Sequence, residues 1–423
     1  MFQTAQLPNG LRIILSPSAT DVVYAGIAVA TGTRHELDSE SGMAHLTEHM
    51  TFKGTVNRSS TQILTRMESV GADLNAYTGK EETIYYSTFL SRHLRRAIPL
   101  LMDIVFNSTY PQAELEKEVE VVIDEIESYN DSPADLIYDD FEALLFPNQP
   151  LGRSILGQAE RLREYRSEDL LRFAHRCYSP ERSVLFVKGN VSLKDVLKTL
   201  SLPSLSESEL LLDESRKGES LNQTAPPLTG KSSGEYSPSS VTLRKPVHQA
   251  HVMLGSRAYS AMDERYYGLA LLNNLLGGPA MNSRLSLSLR ERAGLVYTVE
   301  SNLTAYTDTG VWSVYFGCDA ADVRRCIRRV HRELQRLIEA PLTPAALAAA
   351  KRQFIGQIGV SYDHFENVAL GMAKRYLLYN QVLAPEDIYA AVNALTAEQL
   401  QTIASDIFAP DRLTTLIYQP QPS

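Results

Sequence analysis

Chemistry-bearing residues gather in the segment Gly42-Met43-Ala44-His45-Leu46-Thr47-Glu48-His49-Met50, where two histidines four positions apart enclose a glutamate. On a helix, residues four apart lie one turn apart on one face, so both imidazoles can reach a single ion while Glu48 borders that face. Neutral imidazoles are metal ligands, and a carboxylate beside them can take a proton from water. This is the inverted HxxEH arrangement of hydrolytic zinc sites. Such sites keep three protein ligands and one open position for water, so a third ligand is needed. The stretch Glu114 to Glu127, reading ELEKEVEVVIDEIE, offers Glu118, Glu120, Glu125 and Glu127. Spacing alone does not choose among them, although Glu118 and Glu125 share a face, being seven residues apart.

These residues need elements to hold them. Apolar spacing predicts a strand over Val22 to Thr31, a helix over Ser41 to Phe52, a strand pair over Asp73 to Phe89, and helices over Arg92 to Phe106 and Gln112 to Tyr129. The chain also repeats itself. LLRFAHRCYSPERSVLFV from Leu170 resembles LQTIASDIFAPDRLTTLI from Leu400, an offset of 230 residues, and Arg95-Arg96-Ala97-Ile98 matches Arg324-Arg325-Cys326-Ile327 at nearly the same offset. A Ser, Gly, Pro and Glu rich stretch between the copies cannot bury enough apolar surface to offset its ordering entropy. The expected division is therefore 1–205, a linker at 206–240, and 241–423. Strands and helices mix without regular alternation, which points to the α+β class: two duplicated domains, each a mainly antiparallel sheet packed with helices, facing each other across a cleft.

Length and composition agree with two cores. The 423 residues are 44% hydrophobic and 22% charged, and carry no apolar run long enough to span a membrane. A net charge of -9 opposes nucleic-acid binding, which needs a basic surface. Cys177, Cys318 and Cys326 are too few and too scattered for a disulfide framework and read as buried thiols. The N-terminal residues lack the basic start and apolar stretch of a secretory signal, so a cytoplasmic location is expected.

At this point the sequence resembles the pitrilysin or insulinase family of metallopeptidases, in its processing-peptidase branch, over nearly the full chain. The resemblance implies one zinc ion per chain held by His45, His49 and a later glutamate, which Glu125 matches 76 positions after His49. It implies Glu48 as the base that activates water, and Glu118 as a second acidic residue of the site. Gly71-Ala72-Asp73-Leu74-Asn75-Ala76-Tyr77-Thr78 looks like the family's strand beside the metal, so Asn75, Ala76 and Tyr77 are expected to add a peptide substrate as an extra strand. Gly277 to Leu285 and Leu289 to Tyr297 resemble the C-terminal signature, which implies that Arg290 and Tyr297 bind substrate and assist its carbonyl. Pro279 and Asn282 depart from the small residue and serine usual there, which puts the shape of that loop outside the resemblance. Half-length relatives in this family often pair, so a homodimer is implied.

The second copy is expected to be metal-free. Its counterpart of the motif helix reads RYYGLALLNNLLGG from Arg265, no histidine lies between His251 and His331, and the helix predicted over Pro344 to Ile358 has no glutamate. The expected activity is a zinc-dependent endopeptidase acting on extended peptides. The competing expectation is a non-catalytic binding or assembly subunit, and such partners typically lose motif residues that this chain retains.

Overall fold

A computed structural model describes residues 2–200 and 236–421, so the linker expected at 206–240 lies outside the described residues except at its end. The first sheet contains β1 (Gln3–Gln6), β2 (Arg12–Pro17), β3 (Val22–Val29), β4 (Asp73–Thr78), β5 (Thr83–Leu90) and β6 (Ser183–Gly189), in the order β1-β2-β6-β3-β5-β4. The second contains β7 (Ser240–Lys245), β8 (Ala250–Ala258), β9 (Val296–Ala305), β10 (Gly310–Cys318) and β11 (Thr414–Pro420), in the order β7-β11-β8-β10-β9. Each sheet is antiparallel except for one pair, β2 with β6 and β7 with β11. The α+β class therefore holds, and the second sheet repeats the first without the strand β1.

The repeats found in the sequence fall on equivalent elements. Helix Ser167–Cys177, a short turn at Pro180–Arg182 and β6 correspond to helix Ala397–Ile407, a turn at Pro410–Arg412 and β11. Helix Leu94–Phe106 corresponds to helix Val323–Glu339.

The inner strands β2, β6 and β3 are buried on both faces, which explains their nearly continuous apolar sequence. On one face, Ile13, Ile27 and Leu185 pack with Ala97, Leu101 and Ile104 of helix Leu94–Phe106. Their chain neighbours Ile14, Ala28, Val184 and Phe186 point to the opposite face, as strand geometry requires, and pack with Met372, Ala373, Tyr376 and Leu377 of helix Phe365–Tyr379. The second sheet is treated likewise, with Met253, Tyr315 and Tyr418 packed against Ile137, Phe141 and Leu145 of helix Pro133–Leu145. One helix in each unit thus comes from the other part of the sequence. The first compact unit takes in Ser361–Leu383 and the second takes in Glu127–Gly152, so the units do not follow the consecutive ranges 1–205 and 241–423. Apolar periodicity shows that a helix buries a face and does not reveal which sheet receives it. All three cysteines are buried and free.

Candidate metal centre

Helix Met43–Met50 carries the histidines, and its start is held by a side chain from outside the helix rather than by its own N-cap residue. Gly42 takes the left-handed conformation with φ of 80°, where a Cβ would lie 2.8 Å from the Leu156 carbonyl oxygen and 3.0 Å from the Gly157 Cα. The free amides of this first turn go to Glu36, whose carboxyl accepts from Ala44 N–H at 2.8 Å and from Gly42 N–H at 3.2 Å. Burial pushes Glu36 up to about 8, against the lowering effect of those two hydrogen bonds and of Arg153.

From this helix the two imidazoles reach toward helix Gln112–Asn130. Glu125 Oε2 stands 3.8 Å from His45 Nε2 and 3.5 Å from His49 Nε2, and one donor atom from each of the three residues lies within 4.8 Å of the others. Glu118, two turns earlier on the same face, sits behind His49, its Oε1 3.0 Å from His49 Nδ1 and its Oε2 2.5 Å from Lys53 Nζ. Burial favours a neutral Glu118, but hydrogen bonds from His49 and Lys53 outweigh it and hold the carboxyl below its usual range. An ionised Glu118 can only accept, so Nδ1 of His49 carries a proton, and in the neutral imidazole Nε2 keeps its lone pair for a ligand. Glu120 turns elsewhere, to the guanidinium of Arg163 at 3.3 Å. Glu127 belongs to the second compact unit.

Glu48 is buried beside this cluster and accepts a hydrogen bond from Thr78 Oγ1 at 2.6 Å. Burial chiefly, and the Glu125 charge in addition, raise its pKa, with Thr78 and His49 opposing. Burial and the neighbouring His49 hold His45 neutral, pulling its pKa down to about 3. His49 moves the other way, because Glu118, Glu48 and Glu125 together outweigh its burial. Two imidazole nitrogens and a carboxylate oxygen converging this closely fit a zinc ion, whose tetrahedral ligand atoms stand about 3.3 Å apart at bonds near 2.0 Å. His45 Nδ1 is buried without a partner, so that ring is held by packing and by its edge-on contact with His49, with centroids 4.6 Å apart.

The remaining expected residues are distributed as follows. Asn75, Ala76 and Tyr77 lie on β4, an edge strand paired on one side only, with β5, among the described residues. Thr78, the donor to Glu48, ends that strand. Arg290 and Tyr297 belong to the second unit, Arg290 donating from Nε to Glu291 at 2.9 Å and Tyr297 being 91% exposed. Sequence reasoning gave Glu36, Lys53 and Thr78 no role, although Thr78 ends the segment that resembles the strand beside the metal. Lys53 follows His49 by four positions, but Glu36 comes from a loop with no spacing that ties it to the motif.

Comparison with known proteins adds the lineage. Residues 12–159 match the family model described as insulinase (peptidase family M16), and residues 165–354 match the peptidase M16 inactive domain. An uncharacterized zinc protease of Bacillus subtilis (strain 168) is 33% identical over 97% of this chain and 96% of its own length. The chain belongs to the insulinase family of peptidases. The beta subunit of the mitochondrial-processing peptidase of Bos taurus is 29% identical, over 94% of this chain and 80% of its own. In fold, the chain is similar to a protease from Helicobacter pylori, with a TM-score of 0.88 at 21% identity, covering 100% of this chain and 99% of that one. The inactive-domain match covers the end of the first sheet and most of the second copy, whose counterpart of the motif helix, Tyr266–Gly277, carries no histidine.

Proposed function

We propose that this M16 peptidase is a zinc metalloendopeptidase with one ion per chain held by His45, His49 and Glu125. The observation that carries the reading is the convergence of those three donors beside a buried Glu48 tied to the end of an edge strand. The naming of relatives as zinc proteases supports the choice of metal. Zinc bound there would polarise the scissile carbonyl and acidify the attacking water. Glu48 takes a proton from that water and returns it to the leaving amine, and its raised pKa makes it a better base than an exposed carboxylate. Glu118 orients His49 and fixes its tautomer.

The peptide is held as an extended strand along β4, where Asn75, Ala76 and Tyr77 present unpaired backbone groups to any sequence. Arg290 and Tyr297 are proposed as donors to the substrate and its carbonyl. Thr78 connects the two tasks, since the strand that would receive peptide ends in the residue that orients the base.

Glu48→Gln tests the reading. The amide keeps the shape but cannot accept a proton, so zinc should stay near one per chain while hydrolysis of a mixed peptide library falls by about 100-fold or more. Unchanged turnover with verified zinc would remove Glu48 from the mechanism. A parent chain that binds zinc and cleaves nothing would leave the binding or assembly reading in its place.

A further inference from the structure

The second unit carries a concave pocket of about 370 Å³ whose walls include Arg284, Ser288, Arg292, Glu333, Arg336 and Thr343. Its charge is unbalanced, with three guanidiniums facing one carboxylate. Glu333 is buried and already accepts from Arg336 at 2.8 Å. The first turn of helix Pro344–Ser361, which closes the pocket beyond Thr343, holds no acidic residue that could compensate further. Arg329, close by, is satisfied by the Ser288 carbonyl at 3.0 Å.

Arg284 and Arg292 differ from these. Neither side chain has a hydrogen bond or an ion pair within 4.0 Å among the described residues, although Arg284 is half-buried and feels Glu333 at longer range. A guanidinium cannot shed its proton, so this one keeps its N–H groups open to an acceptor that enters the pocket. Burial, the largest effect, and the charge of Arg336 both act against the charged form of Arg284. An anion in the pocket would meet both groups, since both line it.

The pocket is separate from the residues proposed to act on peptide. Arg284, Ser288 and Arg292 recur every four positions and line one side of the helical segment 283–292, whereas Arg290 lies off that row and pairs with Glu291. We propose that this pocket is an oxyanion site for a phosphoryl group, free or carried by a small molecule. Two unpaired guanidinium forks match the several acceptor oxygens and near-double charge of a phosphate, while a single carboxylate would leave one fork uncompensated.

Calorimetric titration of the full chain with inorganic phosphate, pyrophosphate and a simple phosphate monoester tests this, at low chloride and repeated after chelator treatment. The expected result is one saturable site per chain, unchanged by the chelator, with affinity reduced about tenfold or more in both Arg284→Gln and Arg292→Gln. Equal binding of the monoester assigns the site to carried phosphoryl groups, and its exclusion assigns it to the free ion. Arg292 is exposed, so its variant reads ligand contact without disturbing the core. No saturable binding, binding abolished by the chelator, or binding unchanged in both variants overturns the proposal.

Discussion

Three donors make the metal site, and the loss of any one should be felt as loss of the ion. His45→Ala, His49→Ala and Glu125→Ala should each release zinc on dialysis, because two remaining ligands are too few for a stable site. Retention by Glu125→Ala would move the third ligand to Glu118, its neighbour on the same helix face. Thr78 separates orientation from ligation, since it touches Glu48 and none of the three donors. Removing a hydrogen bond to a charged group costs about 1.5–3 kcal/mol, so Thr78→Ala should lower kcat by about 10–100-fold with zinc content intact. Thr78→Ser, which keeps the hydroxyl, should restore most of it. Equal loss in both variants would mean that packing of the methyl group, rather than the hydrogen bond, is what matters. At this scale the sequence was informative where spacing carries meaning, as in the histidine pair four apart on one short helix. It left four glutamates open because on a helix of carboxylates every face looks solvated, and only the path of the chain decides which face meets His49.

Among elements, the motif helix depends on a residue outside it. Glu36 collects the amides of Gly42 and Ala44, and its burial keeps it protonated up to about 8. Between the unfolded carboxyl value near 4.5 and about 8, the folded chain holds a proton that the unfolded chain has released. Stability contributed here is therefore greatest in acid and lost as pH rises through that window, with a slope of at most about 1.4 kcal/mol per pH unit. Thermal unfolding of the parent chain and Glu36→Gln at pH 5, 6.5 and 8 checks the sign. The advantage of the parent should shrink steadily toward pH 8, while other titrating groups cancel in the difference. A flat or growing difference would mean that the carboxylate is ionised throughout, with the helix amides outweighing burial. Helix Met43–Met50 itself was readable from its apolar spacing. Its cap was not, because a residue seven positions before the first turn, in a loop, leaves no periodic signal.

For the molecule as a whole, the duplication was legible because the helix, turn and strand that close each sheet kept their Pro and Arg markers at a constant offset. The exchange of helices was not legible, and it changes what a fragment can do. Residues 1–205 hold every strand of the first sheet and the entire metal centre, yet lack helix Phe365–Tyr379, which covers Ile14, Ala28, Ile84, Val184 and Phe186. Burying Met372, Tyr376 and Leu377 is worth about 1.5–3 kcal/mol each, which is an upper bound but comparable in sum with the 5–15 kcal/mol that stabilises a typical domain. The same helix accepts two hydrogen bonds at 3.1 Å from the buried Arg12, through the carbonyls of Tyr376 and Leu377, and places Lys374 2.7 Å from the buried Glu82. Without it the fragment would expose a broad apolar sheet face, a buried cation would lose its acceptors, and aggregation would follow. Expressed alone, residues 1–205 should be insoluble or unfolded and should hold no zinc. Co-expression with a segment spanning 361–383 should return a soluble, zinc-binding complex, and Met372→Asp in that segment should abolish the rescue. A soluble, cooperatively melting fragment that binds zinc on its own would mean that the helix is dispensable and that the first sheet needs cover on one face only.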